Sequence, residues 1–115
     1  MLIQRIKSGN KITIYGDDYD TRDGTCIRDY IHVEDIAEAH IKAIEYLKEH
    51  NGNTFNLGTS EGYTIKEICD MAKCDYEIGT RRESDVIVSI ADNTKAKQEL
   101  GWQPTRTLED ILNEI

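Results

Sequence analysis

Residues 28–40 read RDYIHVEDIAEAH, and this stretch decides the fold because it joins a strand to an amphipathic helix. Apolar and polar residues alternate from Cys26 to Val33, which predicts a strand over residues 26–33. From Val33 onward the apolar residues recur at helical spacing, which predicts a helix over residues 33–50. Asn51 and Gly52 supply the stop for that helix.

Further short elements are predicted on both sides of this stretch. The segments that read as strands are residues 11–15, 54–58, 76–78 and 86–88. Helices are predicted at the N-terminus (apolar Ile3 and Ile6), after the capping box Thr64/Glu67, and from Asp92 to Leu100. A final helix is predicted after the capping box Thr107/Asp110, with apolar Leu108, Ile111, Leu112 and Ile115. We therefore expect an α/β fold, a small mixed assembly of short strands and about four helices, with residues 1–115 forming a single domain.

Composition restricts the function classes. The chain has 115 residues, of which 38% are hydrophobic and 31% charged, a composition typical of soluble globular proteins. Its net charge of −8 would repel the phosphates of a nucleic acid. No apolar run is long enough to span a membrane, and the N-terminus is too short and polar for a signal peptide. We expect a cytoplasmic protein that binds neither nucleic acid nor membranes.

The sequence offers no metal site. Cys26, Cys69 and Cys74 are odd in number and match no zinc or CxxC spacing. The acidic loop over residues 17–24 places Arg22 and Asp23 where a calcium-binding loop needs an oxygen ligand and a glycine. A solvent-exposed turn is the better interpretation of this loop.

Two patches suit a nucleotide diphosphate: Arg28 with Tyr30, and Arg81–Arg82 followed by Asp85. A guanidinium presents a planar fork to pyrophosphate oxygens, and a carboxylate accepts hydrogen bonds from ribose hydroxyls. From the residues alone, surface ion pairing is the better interpretation of the arginine pair.

Two motifs of nucleotide-dependent redox enzymes are absent from the sequence. There is no G-x-G-x-x-G, the glycine pattern that holds a dinucleotide pyrophosphate at a helix N-terminus. None of the six tyrosines is followed by a lysine four residues later, so a Tyr-x-x-x-Lys base is missing too. The sequence thus predicts no catalytic and no cofactor-binding residues.

Five motifs then follow one another in a recognisable order. They are IYGDDYDTRDGT (residues 14–25), RDYIHV (28–33), FNLGT (55–59), RRESD (81–85) and KAKQELGW (95–102). On these motifs the chain resembles the C-terminal part of the UDP-glucose 4-epimerase family, which belongs to the extended short-chain dehydrogenases/reductases. The resemblance implies a chain that lacks the N-terminal, NAD-binding Rossmann part.

The resemblance also implies roles for seven residues. Thr13 and Tyr15 would line the uracil pocket, Arg28 and Arg82 would hold the diphosphate, Asp85 would meet the ribose, and Tyr30 and Ile65 would lie near the same nucleotide. In the family, NAD takes a hydride from C4 of the sugar while a tyrosine base accepts the hydroxyl proton. Those groups belong to the part that this chain lacks, so the chain itself is expected to hold no NAD.

The function that the resemblance implies is weak binding of UDP or a UDP-sugar without catalysis by the chain alone. The alternative is a non-catalytic interaction module that self-associates, because a lobe of this kind would leave its Ile36/Ile41/Ile44 helix face and the strand over residues 55–57 partly uncovered. A separate Rossmann half is a further candidate partner.

Overall fold

The computed structural model describes residues 2–114 and shows a mixed α/β fold with short strands, as predicted. Its helices are α1 (Leu2–Ser8), α2 (Val33–Leu47), α3 (Ile65–Ala72) and α4 (Leu108–Asn113), and a π-helical segment spans Ala96–Leu100. Its strands are β1 (Ile12–Tyr15), β2 (Ile27–Arg28), β3 (Tyr63–Thr64), β4 (Tyr76–Gly79) and β5 (Val88–Ser89). Met1 and Ile115, the ends of the predicted domain, lie outside the described residues, and so does the predicted contribution of Ile115 to the last helix.

The strands form two small sheets. In the first, β1 and β4 run parallel, with Ile12 opposite Tyr76 and Ile14 opposite Ile78. In the second, β2 lies between an antiparallel β3 and a parallel β5. The buried Ile12 and Ile14 pack with Cys69 of α3, so one hydrophobic core lies between the first sheet and that helix.

A second core holds α2. Ala39 of this helix packs with Ala96 of the π-helical segment and with Trp102. Two small cores side by side explain the radius of gyration of 16.3 Å, which exceeds the roughly 13 Å expected for a compact domain of this length.

The apolar face of α2 is open to solvent, as the resemblance implied. Ile41 and Ile44 are 63% and 62% exposed, whereas the buried residues of the helix are Asp35 and Ala39. The helix therefore packs through a narrow polar and small-residue face. Of the predicted uncovered surface, Ile36, Phe55 and Leu57 are half-buried, whereas Ile41 and Ile44 are exposed in the described structure.

Several predicted boundaries are wrong for physical reasons. The predicted strand over residues 26–33 is a ladder only at Ile27–Arg28, because His32 leaves the sheet to become the N-cap of α2, its ring accepting a hydrogen bond from the Glu34 amide. That helix ends at Leu47, before the predicted stop at residues 51–52.

Residues 54–58 form no strand within the described chain. Side chains hold their carbonyls instead: Lys95 Nζ donates to Thr54 O at 2.8 Å and Asn93 Nδ2 to Gly58 O at 2.7 Å.

The two threonines predicted to cap helices, Thr64 and Thr107, are both N-caps in the structure. Thr107 and Asp110 form the predicted capping box of α4. Thr64 caps α3 by accepting a hydrogen bond from the Glu67 amide, but the Glu67 carboxylate pairs with Arg22. Gly101 ends the π-helical segment in the left-handed conformation, with φ of 67°. Among residues 2–114, no helix has the length and apolar character that a membrane crossing requires.

Candidate functional site

Six of the seven predicted site residues line one cleft of about 220 Å³. The residues that line it are Leu2, Arg5, Ile12, Thr13, Tyr15, Arg28, Tyr30, Ile65 and Arg82. They come from α1, β1, β2, the segment after β2, the start of α3 and the segment after β4. Asp85 is the seventh, and it does not line the cleft. Complete small-molecule pockets measure about 300–1,000 Å³, so this cleft is smaller than a complete pocket of that kind.

The cleft is cationic although the chain is acidic. Arg5, Arg28 and Arg82 line it, and no carboxylate does. Within residues 2–114, only Arg82 of these three arginines has a carboxylate partner. The sequence prediction missed Arg5 and Leu2, although their spacing of three residues on a helix indicates a shared face.

Arg82 connects Asp85 to the site. Its guanidinium carbon lies 4.4 Å from the centroid of the Tyr15 ring, and its Nε donates to Asp85 Oδ2 at 2.9 Å. A cation above an aromatic face and a charge-assisted hydrogen bond together restrict the rotamers of a long side chain. Asp85 therefore restricts the orientation of Arg82, which lines the cleft.

Asp29 fixes the backbone between Arg28 and Tyr30. Its carboxylate accepts hydrogen bonds from the Thr59 hydroxyl at 2.6 Å, the Thr59 amide at 3.0 Å and the Ala91 amide at 3.3 Å. Three donors from two other segments thus fix the Asp29 carboxylate. Arg28 and Tyr30, on either side, both reach the cleft.

The aromatic and hydroxyl groups of the cleft are uncharged donors and acceptors. Burial raises the pKa of Tyr30, and this outweighs the opposite effect of the Arg28 guanidinium, so the phenol stays protonated at neutral pH. The Thr13 hydroxyl donates to Glu77 at 3.3 Å. Ile65 begins α3, and its amide donates to Cys26 O at 3.1 Å.

The cysteines do not contribute chemistry to the cleft. All three are free, and none of them lines it. Burial, followed by the neighbouring Cys74, raises the pKa of Cys69 to about 12, so its thiol is unreactive. Residues 2–114 contain no group of three or more acidic, histidine or cysteine side chains that could hold a metal ion.

Comparison with known proteins identifies the family. The family model described as GDP-mannose 4,6 dehydratase matches residues 1–115. The chain is 50% identical over 105 residues to a UDP-glucose 4-epimerase of Rhizobium meliloti, an alignment that covers 85% of the chain and 32% of that enzyme. It is 42% identical over 120 residues to the UDP-glucose 4-epimerase of Lactobacillus helveticus, covering 97% of the chain and 36% of the relative.

Solved structures show the same similarity to UDP-glucose 4-epimerases. The chain superposes on the UDP-glucose 4-epimerase of Stenotrophomonas maltophila, which was solved with NAD and formylated UDP-arabinopyranose, with a TM-score of 0.85 and 37% identity over 96% of the chain and 36% of that structure. The epimerase of Bifidobacterium longum, solved with NAD+ and UDP, gives a TM-score of 0.81 and 38% identity over 96% of the chain and 35% of that structure. The chain spans about a third of the length of these relatives. It belongs to the family described as GDP-mannose 4,6 dehydratase, and its relatives within that family are UDP-glucose 4-epimerases and related nucleotide-sugar enzymes of the extended short-chain dehydrogenases/reductases.

Proposed function

We propose that this chain binds the UDP portion of a nucleotide sugar in the cationic cleft, without catalysing a reaction alone. One observation carries the proposal: three arginines converge on a cleft without a lining carboxylate, in a chain of net charge −8. The chain as a whole is acidic, but the cleft presents guanidinium groups, and such a positively charged cleft suits an anionic ligand.

The lining residues divide by chemistry. Guanidinium groups bind diphosphate oxygens through paired N–H donors, so Arg28 and Arg82 are assigned to the diphosphate, with Arg5 as a third cation. Tyr15 and the β1 backbone at Thr13 offer a ring and amides to the uracil base. Similarity to epimerases solved with UDP or a UDP-sugar supports this choice of ligand.

Weak binding is expected for two structural reasons. The cleft surrounds only part of a nucleotide sugar, and Arg82 already pairs with Asp85, so a diphosphate has to compete with that carboxylate. We expect a dissociation constant on the order of 1 mM.

The complete reaction of the relatives needs groups that this sequence does not supply. It contains neither the glycine-rich cradle for a dinucleotide nor a Tyr-x-x-x-Lys base. We therefore propose that NAD is not held by this chain alone and that a separate Rossmann half would have to provide it. A cytoplasmic location, as the sequence predicts, suits this function.

Amide-resolved NMR titration tests the proposal. With UDP-glucose at about 10 mM, we expect shifts around Thr13, Arg28 and Arg82, and with NAD we expect none there. Arg28→Gln should weaken UDP-glucose binding about 10-fold, because it removes a charge-assisted contact. Lys48→Gln changes the net charge equally but breaks only the exposed pair with Glu45, so it should not alter binding. A well-dispersed spectrum that UDP-glucose does not change would refute the proposal.

A second candidate function is self-association through α2. The exposed apolar residues of this helix are Val33, Ile41, Ile44 and Leu47. Beside the helix lies an apolar depression of about 150 Å³, lined by Ala39, His40, Ala43, Phe55, Leu57 and Leu100. Contiguous exposed apolar surface of this kind favours association.

Sedimentation at increasing protein concentration tests this second function. We expect the native chain to associate and Ile41→Glu to remain monomeric, since a charge on the stripe must be desolvated in an interface. Lys42→Gln, on the same helix, lowers the net charge by the same amount without touching the stripe. A native chain that stays monomeric throughout would exclude self-association.

A further inference from the structure

The loop over residues 17–24, here called the platform, is held by internal hydrogen bonds: Tyr19 is buried, whereas Asp17, Asp18, Asp20 and Arg22 are exposed, as the composition of the loop predicts. Tyr19 is only 7% exposed, and its amide donates to Gly24 O at 2.9 Å. The Thr21 hydroxyl donates to Thr25 O at 2.7 Å, and the Asp23 carboxylate accepts from the Thr25 amide and hydroxyl at 2.9 and 2.7 Å. These bonds hold the loop from within.

Arg81 lies on this platform. Its guanidinium carbon is 4.1 Å from the centroid of the Tyr19 ring, its Nε donates to Asp18 Oδ1 at 2.6 Å, and a second nitrogen donates to Asp18 O at 2.8 Å. We name these three contacts the Arg81 clasp. An exposed ion pair alone contributes little to stability. Here the Tyr19 ring and the Asp18 backbone carbonyl also contact the guanidinium, so three contacts together restrict its orientation.

Gly16 makes room for the clasp. A Cβ atom at this position would lie 2.7 Å from Arg81 Cγ and 3.0 Å from the Tyr19 ring. The turn after β1 therefore has to be free of a side chain for Arg81 to reach the platform.

Arg81 of the clasp immediately precedes a residue that lines the cleft. Arg82 follows Arg81 directly, stacks on Tyr15 and lines the cleft, whereas Arg81 does not line it. The two consecutive arginines thus use two different tyrosines, one on the platform and one on β1. Fixing the side chain of Arg81 fixes the backbone from which Arg82 enters the cleft.

We propose that Arg81 is a positioning residue for the nucleotide cleft: its contacts with Asp18 and Tyr19 hold Arg82 in place to bind a diphosphate. This inference rests on the proposed binding of UDP and adds three residues that line no part of that site. Preorganising Arg82 lowers the entropy lost when the ligand immobilises it.

Asp18→Asn gives a test whose sign separates positioning from simple charge effects. Removing a carboxylate from the neighbourhood of an anion site should tighten binding if only Coulomb forces act. If the clasp positions Arg82, the same change weakens UDP binding, by about 3- to 10-fold. Asp18 is 74% exposed, so the variant should fold.

A double-mutant cycle with Arg81→Gln completes the test by NMR titration with UDP. Asp18→Asn removes the charge of the ion pair in the clasp and Arg81→Gln removes its guanidinium, so Asp18→Asn should weaken binding in the native chain and have no further effect in the Arg81→Gln chain. Tyr19→Leu should weaken binding, and the conservative Tyr19→Phe, which keeps the ring, should restore it.

The outcomes separate this inference from the proposed function. If the native chain does not bind UDP, the proposed function fails. If the native chain binds UDP and Arg28→Gln weakens that binding, but Asp18→Asn tightens it or leaves it unchanged, the positioning role of Arg81 is overturned while the proposed function stands. Additive effects of Asp18→Asn and Arg81→Gln would also overturn it, because they would mean that Arg81 contacts the ligand independently.

Discussion

Asp35→Asn should destabilise the second core more than any change on the exposed surface of α2. Asp35 is 0% exposed, and its carboxylate accepts hydrogen bonds from the Thr105 amide at 3.3 Å, the Arg106 amide at 3.1 Å and the Arg106 guanidinium at 2.7 Å. Every one of these partners is a donor. Asparagine would replace one acceptor oxygen with an NH2 group that faces donors.

The expected loss follows from what stays buried. Removing one partner of a buried charge pair costs about 3–5 kcal/mol, but Arg106 keeps Glu34 and Glu38 as partners, which lowers the expectation to about 2–4 kcal/mol. A domain of this size has a free energy of unfolding of about 5–15 kcal/mol, so the loss is a large fraction of it. With a urea slope of about 2 kcal/mol/M, the midpoint should fall by about 1–2 M.

Urea unfolding followed by Trp102 fluorescence measures this directly. Trp102 is the single tryptophan, it is buried, and its indole N–H donates to Asp35 O at 2.8 Å, so it reports on the same junction. Glu38→Gln is the control: it also removes an Arg106 partner, but Glu38 is 45% exposed and the change should cost less than about 1 kcal/mol. Equal midpoints for Asp35→Asn and the native chain would refute the reasoning.

Three further changes test the packing. Gly24→Ala should destabilise by about 2 kcal/mol or more in urea unfolding, because Gly24 has φ of 87° and a Cβ would lie 1.8 Å from Asp17 O; native stability would contradict this. Tyr19→Phe should keep or raise the melting temperature, because the Tyr19 hydroxyl is buried without a hydrogen-bond partner within the described chain, and a lower value would reveal a missed partner. Stability should also fall in acid. Burial opposes ionisation of Asp35, but donors from Arg106 and Thr105 outweigh it and lower its pKa, so its contribution is complete above the unfolded pKa of about 4 and disappears as the pH falls through the folded value. A flat stability between pH 5 and pH 2 would contradict this assignment.

The features that the sequence predicts best are local. Thr64 and Thr107 each cap a helix three residues before the amide that they accept from, and that interaction needs nothing beyond the segment itself. The convergence of Thr13, Arg28 and Arg82 on one cleft was predicted from motif resemblance, because spacing alone does not bring together residues 69 positions apart.

The features that the sequence does not predict depend on distant partners. Residues 54–58 have a strand composition, but a strand also needs a neighbour to pair with, and side chains of Asn93 and Lys95 take that role here. The platform formed by residues 17–24 is similar: its composition suggests solvent exposure, yet a tyrosine within it is covered by an arginine more than 60 residues away.

Helix α2 shows most clearly what periodicity can and cannot say. Its apolar residues recur at helical spacing, and they form one continuous stripe, but Ile41 and Ile44 remain exposed while Asp35 is buried. Periodicity identifies the face that is costly to leave in water; it does not identify the surface that covers that face. The buried face of α2 is instead determined by Arg106, which neutralises the inward-facing Asp35 carboxylate, and by Trp102, whose indole N–H donates to the Asp35 backbone carbonyl. An Ile41→Glu variant that keeps native stability but loses self-association would show that the two faces of this helix serve two separate purposes, one in folding and one in binding.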